Sequence, residues 1–281
     1  MVRKSFGKLK NNGKRSGEEM DSIKVISIGV INMGSMMYEQ IKGLSVIVTG
    51  GTTGIGRATA IELASLGANI VIAGSDETHL NDTLSSINQR QLPGSVHGVI
   101  VDLATEEGIN KLFTEADRQL TRLDVIINNA ALAFQGISDG AYQDWRKVVG
   151  TNVLGYIACT RMAIDRMKPN KKGHIVNIGS MSADVREKDS SVYVATKSAI
   201  QGFSESFRKE VNEEGIKVTL IEPGAVGTDM QPVSVPDQEK QQENLEMLKA
   251  EDIAAAIIYA LTQPERCDVV ELKIKPHLQI I

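Results

Sequence analysis

The sequence predicts an α/β protein: one doubly wound, seven-stranded, mostly parallel sheet with helices on both faces. Three observations predict it. Short β-branched runs alternate with helical stretches from about residue 43 onward. Several runs are apolar almost throughout, as in Val46-Ile47-Val48, Ile70-Val71-Ile72 and Val125-Ile126-Ile127. Such runs suit strands buried on both faces. Strict β-α alternation then favours right-handed crossovers into a single sheet.

In chain order, the first strand is read over 44–49 and runs through a glycine turn into a helix over 55–66. Strand 69–73 leads to helix 77–90, strand 96–101 to helix 106–120, and strand 123–127 to a long helix over 143–167. Strand 174–178 leads to helix 192–213, strand 217–221 to helix 251–262, and strand 269–274 closes the sheet. One segment breaks the rhythm. Residues 225–249 carry Pro232 and Pro236, show no clear strand, and become rich in Gln, Glu and Lys. A connection of this length in a compact domain reads as a substrate lid.

Bulk composition excludes several classes. The 281 residues are 42% hydrophobic and 23% charged, ordinary for a globular chain with a core. The net charge of −4 offers no overall attraction to nucleic acid or to an anionic membrane. No apolar run reaches the length of a membrane span. Two distant cysteines, Cys159 and Cys267, are expected as free thiols in a reducing cytoplasm. Residues 1–17 carry six Lys or Arg and no acid. Residues 1–42 are read as a flexible N-terminal extension and 43–281 as the working domain.

Two stretches carry the chemistry. In the first, strand 44–49 runs into Thr49-Gly50-Gly51-Thr52-Thr53-Gly54-Ile55-Gly56, and a helix follows. Gly50 suits a tight turn. Gly54 and Gly56 let a pyrophosphate approach the backbone and let the helix pack on the strand. The opening helix presents free N–H groups and a positive dipole end. In the second, Tyr193 and Lys197 lie four residues apart, one helical turn, with Ser180 thirteen positions upstream. At roughly 6 Å and an effective dielectric of about 20, the ammonium favours phenolate by about 3 kcal/mol. That predicts a tyrosine pKa lowered by about two units, toward general acid–base use.

Together these motifs resemble the classical short-chain dehydrogenase/reductase family, over about residues 43–275. Further matches follow in order: Asp102 after the third strand, Asn128-Asn129-Ala130 after the fourth, Asn152 in the long helix, Ser180 after the fifth strand, Pro223-Gly224 after the sixth, and Thr228 beyond. The chain departs from the family in placing Ala131 after Asn128-Asn129-Ala130, where glycine is usual. Near the C-terminus it lacks the family's common Asp-Gly-Gly and runs instead through Val-Val-Glu-Leu-Lys-Ile-Lys-Pro-His, more similar to the branch that holds serine and 3-hydroxy acid dehydrogenases.

The resemblance implies a single Rossmann-type domain and hydride transfer between a nicotinamide and a carbonyl or secondary alcohol. It implies Tyr193 as general acid or base, and Lys197 as the cation that tunes it and binds ribose. Ser180 is implied to hold the substrate oxygen, and Asn152 to support a water relay. The implied cofactor contacts are Gly50, Thr52, Thr53, Gly54, Ile55, Gly56, Ser75, Asp102, Leu103, Asn129, Ala130, Tyr193, Lys197, Pro223, Gly224 and Thr228. After the second strand, NAD-dependent members place Asp where this chain has Gly74. Many NADP-dependent members place Arg where it has Ser75. Room at Gly74 and the Ser75 hydroxyl favour NADP over NAD, and Asp76 opposes a phosphate if it turns inward.

Four histidines without ligand spacing predict no metal, and His174 is expected at the surface. The alternatives are a 3-oxoacyl-thioester reductase and a non-catalytic NAD(P)-binding sensor or scaffold. The expected partners are a small carbonyl or alcohol substrate and further copies of the chain, as homodimer or homotetramer through helices 143–167 and 192–213. No nucleic acid or membrane partner is expected.

Overall fold

Seven strands form one sheet in the order β3-β2-β1-β4-β5-β6-β7, and every neighbouring pair is parallel. The computed structural model describes residues 39–280. The expected flexible extension therefore lies outside the described residues except for its last four positions. One compact unit begins at Gln40. The strands are β1 (Ser45–Thr49), β2 (Asn69–Gly74), β3 (Ser95–Ile100), β4 (Val125–Asn128), β5 (Gly173–Ile178), β6 (Ile216–Pro223) and β7 (Glu271–Ile274). All of β1, β4 and β5 is buried, polar residues such as His174 and Asn177 included, as a strand covered on both faces requires. β7, an edge strand, alternates between exposed and half-buried residues.

The helices are α1 (Gly54–Ser65), α2 (Glu77–Gln89), α3 (Glu106–Gln119), α4 (Tyr142–Val149), α5 (Gly155–Met167), the short α6 (Ser182–Val185), α7 (Ser191–Val211), α8 (Val235–Glu243) and α9 (Ala250–Leu261). α1 packs against α9, and α3 packs against α5. The main core joins Leu112 and Phe113 of α3 to Ala163 and Met167 of α5, Phe207 and Val211 of α7, and Ile47, Val71, Ile126 and Ile175 of the sheet.

The long helix expected over 143–167 is interrupted. Between α4 and α5, residues Gly150–Leu154 form a wider π-type turn that carries Asn152. Such turns are frequent at functional sites. Residues 225–249 contain α8, capped by Ser234, whose hydroxyl accepts from the Asp237 amide. Gln238 and Met247 bury this segment against the domain, and a parallel bridge pairs Val226 with Leu248. No described helix is long and apolar enough to cross a membrane, and the described residues hold no cluster that could ligate a metal.

His174 corrects the surface expectation. It lies in β5 at 8% exposure, and its Nε2 is 2.8 Å from Thr219 Oγ1. Thr219 donates its one hydroxyl proton to Val269 O, so His174 Nε2–H is the donor. Burial first, and Lys217 second, push the imidazole down to about 4. Cys159 is buried and Cys267 exposed, and both are free thiols.

Candidate active site

The strand order reverses direction between β1 and β4. Ligands of open α/β sheets bind outside the carboxyl ends of the strands at such a point. A cleft of about 650 Å³ opens there. Its floor is the turn from β1 to α1. Gly50 has φ +62° and Gly54 φ +48°, conformations that favour glycine. A Cβ at Gly50 would meet Ala130 Cα at 2.8 Å, one at Gly54 would meet Thr228 Cγ2 at 2.9 Å, and one at Gly56 would meet Gly50 O at 2.1 Å. The turn is a cradle that side chains would fill, beside the N-terminus of a twelve-residue helix. It fits a dinucleotide pyrophosphate.

The turn is tied to the strand beside it by Thr49, a residue absent from the expected contacts although it directly precedes Gly50. The Thr49 hydroxyl accepts from the amides of Asn129 at 2.9 Å and Ala130 at 3.1 Å. Asn129 Nδ2 donates back to Thr49 O and Gly50 O, both at 3.0 Å. Beneath this, Asn128 Nδ2 donates to Asn177 Oδ1 at 2.9 Å, and Asn177 Nδ2 donates to Ser204 Oγ at 2.9 Å. This buried ladder links β4, β5 and α7.

Among the expected contacts, the cleft wall holds Gly50, Thr52, Thr53, Gly54, Ile55, Ser75, Asp102, Leu103, Asn129, Ala130 and Thr228. Gly56 is buried behind the turn. Pro223 and Gly224 are not on this wall: Pro223 is buried, and the Gly224 amide donates to Ile274 O at 2.7 Å. At the ribose end, Gly74 is not empty space. A Cβ there would meet Thr52 Cγ2 at 2.5 Å, so Thr52 occupies the place of an acidic side chain. Thr52 is held by Thr83 of α2, whose hydroxyl donates to Thr52 O at 2.7 Å. Asp76 caps α2, accepting from the His79 amide at 2.8 Å.

Asn152 joins the cleft to the second motif. Its Oδ1 accepts from the Leu132 amide at 2.7 Å, and its Nδ2 donates to Leu132 O at 2.9 Å and Thr196 Oγ1 at 3.3 Å. Thr196 is followed by Lys197, which is 2% exposed and donates to Ile178 O at 2.9 Å. The Lys197 ammonium stands 5.7 Å from the Tyr193 ring centroid and 5.8 Å from that of Tyr156. Ser180 follows β5; its hydroxyl accepts from the Ser182 amide at 3.2 Å and lies near enough to the Tyr193 phenol to act on its titration. Asn152, Ser180, Tyr193 and Lys197 thus gather beside the nucleotide-shaped cleft.

The electrostatics correct one expectation. In the chain alone the Tyr193 phenol is not lowered by Lys197. Burial pushes it up to about 12, Ser180 opposes the rise, and Glu187 adds to it. Lys197 is itself pushed down to about 8, mainly by burial, with Glu222 opposing. Spacing places the two groups side by side. The desolvation that sets the direction of both depends on the packing of β5, β6 and α7 around them.

The family model for short chain dehydrogenase matches residues 45–239. The chain belongs to the short-chain dehydrogenase family. It is 32% identical over 231 residues to an uncharacterized oxidoreductase of Staphylococcus aureus (strain USA300), covering 82% of this chain and 96% of that one. A second uncharacterized oxidoreductase, from Staphylococcus epidermidis, is 32% identical over 238 residues, 84% and 99% of the two chains. Among solved structures, a Serratia marcescens short-chain dehydrogenase/reductase mutant superposes with TM-score 0.73 at 26% identity, covering 84% and 98%. A 3-ketoacyl-(acyl-carrier-protein) reductase from Brucella melitensis complexed with NADH reaches TM-score 0.75 at 23% identity, covering 85% and 100%, and shares the fold. As a short-chain dehydrogenase, this chain is an NAD(P)-dependent oxidoreductase.

Proposed function

We propose that the chain reduces a small carbonyl compound, or oxidises the matching secondary alcohol, with Tyr193 as the proton donor or acceptor. The carrying observation is the convergence of Tyr193, Ser180, Lys197 and Asn152 at the edge of the glycine-floored cleft. Gly50, Gly54 and the N-terminus of α1 would hold the pyrophosphate, and Asp102 and Leu103 the adenine end. Bound nicotinamide supplies or takes up the hydride. Ser180 donates to the substrate oxygen and polarises it. Tyr193 gives that oxygen its proton in reduction and removes it in oxidation. Lys197 stabilises the phenolate left behind, and Asn152 orders a water that returns the proton from solvent.

We infer NADP as the preferred cofactor. No carboxylate stands at residue 74, Thr52 fills that place, the Ser75 hydroxyl is exposed, and Asp76 is engaged in capping α2. Residues 225–249 act as the substrate lid, and the substrate is a small molecule. The exposed apolar side chains Val149, Leu154 and Ile157 support a homo-oligomer through the α4–α5 helix.

A screen of NADPH and NADH consumption against aldehydes, ketones, 3-oxo acids and quinones tests the reading. It predicts turnover with at least one carbonyl class and a higher kcat/KM with NADPH. Higher kcat/KM with NADH contradicts the cofactor assignment, and nucleotide binding without turnover of any class contradicts the reaction.

A further inference from the structure

The chain just after Ser180 carries a carboxylate that the reaction described above does not use. α6 closes directly behind Ser180. The Ala183 amide donates to Ser180 O at 3.0 Å, and the Ser182 amide donates to the Ser180 hydroxyl at 3.2 Å. Arg186 then takes the left-handed backbone region at φ +55°, where non-glycine residues are uncommon and tend to cluster at functional sites. Beyond this bend Glu187 returns over the turn, and its Oε1 accepts from the Ser182 hydroxyl at 3.1 Å. Two hydrogen bonds and one serine separate the Glu187 carboxylate from the Ser180 hydroxyl, a span of at most about 10 Å.

The rest of this loop is fixed against a segment that reaches the cleft. Asp189, also left-handed at φ +65°, packs on Gly136, where a Cβ would stand 3.4 Å from Asp189 Cα. The Ile137 amide donates to Ser191 Oγ at 3.1 Å. Ala131 and Leu132, a few residues before Gly136, line the cleft.

The neighbouring charges are engaged elsewhere. Arg186 Nε donates to Ala183 O at 3.2 Å, and Asp184 is held by Lys273 and Gln201. Lys188 and Asp189 face each other at 4.0 Å, at 92% and 82% exposure, and offset one another. Lys197 is buried and held by Ile178 O, where its charge serves the reacting oxygen. Lys147, on the cleft wall, shares a groove with Asp102 at the adenine end. Glu187 has no ion-pair partner among the described residues. Its charge also adds to the rise of the Tyr193 phenol.

We propose that Glu187 sets the charge of the substrate. The site takes carbonyl compounds, or the matching alcohols, that are neutral or cationic beside the reacting carbon, and it discriminates against those that carry a carboxylate or phosphate there. This rests on the reading of Ser180 and Tyr193 given above. A repulsive charge beside the site selects by rejecting the wrong partner. Of the carbonyl classes named above, 3-oxo acids become poor substrates and their esters better ones.

The test is a matched pair, ethyl 3-oxobutanoate and 3-oxobutanoate, with NADPH and the full-length protein. Glu187→Gln removes the charge and keeps an acceptor for Ser182. In that variant kcat/KM for the acid relative to the ester should rise roughly three- to tenfold, the effect of one charge at this range. Raising the salt should lift the same ratio in the unmodified protein and leave it level in Glu187→Gln. A merely structural role would change both substrates together. An unchanged ratio in Glu187→Gln overturns the proposal. If neither compound is turned over, the fluorescence of bound NADPH decides. At constant ionic strength, its quenching by iodide relative to acrylamide should rise at least about twofold in Glu187→Gln, and an unchanged ratio overturns the proposal. Failure of the Tyr193 assignment shows up separately, as full activity in Tyr193→Phe.

Discussion

Tyr193 and His174 show where residue-level reasoning holds and where packing overrules it. The four-residue spacing of Tyr193 and Lys197 correctly placed both on one face of α7, close enough for the ammonium to approach the ring. It could not reveal that both groups are desolvated, because burial is set by strands far away in sequence. His174 was misread for a related reason. A strand covered on both faces has no polar side, so alternation gives no clue that a histidine within it is buried. Its titration carries a prediction. Folding holds the ring neutral down to about pH 4, whereas the unfolded chain takes up the proton below about 6.5. The associated stability is complete above 6.5 and is lost as the pH falls toward 4. The melting temperature should drop over that window in the native sequence and drop less steeply in His174→Gln. Parallel curves would show that His174 is not responsible.

At the scale of elements, the strands were legible because β1, β2 and β4 carry nearly continuous apolar runs and β5 and β6 are rich in β-branched residues. The edges were less so. β7 starts two residues later than the apolar pattern suggested, since an edge strand is only half covered. The π-type turn at Gly150–Leu154 was not foreseen: Gly150, Thr151, Asn152 and Val153 are weak helix formers, but weak propensity does not specify a π-type register. The turn from β1 to α1 was the clearest element of all. Gly50 and Gly54 are explained by positive φ together with close contacts and Gly56 by contact alone, its absent Cβ 2.1 Å from Gly50 O. Gly56→Ala should therefore displace the turn. Calorimetry should show NADPH affinity reduced at least about tenfold, the effect of about 1.4 kcal/mol. Unchanged affinity would mean that the turn does not hold the nucleotide.

Across the whole molecule, one sheet brings together two stretches of sequence about 140 residues apart. The β1–α1 turn builds the nucleotide cleft, and the β5–α7 region supplies Ser180, Tyr193 and Lys197. Asn152 and the Asn128–Asn177–Ser204 ladder bridge the two halves. Motif order alone exposed both halves. The ladder, Thr49's clamp on the turn and the return of Glu187 over Ser182 emerged from the packing. If surface apolar residues on α5 serve assembly, Ile157→Glu should shift the protein toward monomer in sedimentation, and an unchanged species distribution would remove that role. The division of labour also predicts that the two halves separate on mutation. Tyr193→Phe deletes one hydroxyl at the proton-transfer end and leaves the cleft intact. Measured side by side, its NADPH affinity should match the unmodified protein while kcat falls by about 10²-fold or more. Undiminished kcat in Tyr193→Phe would contradict the account at its centre.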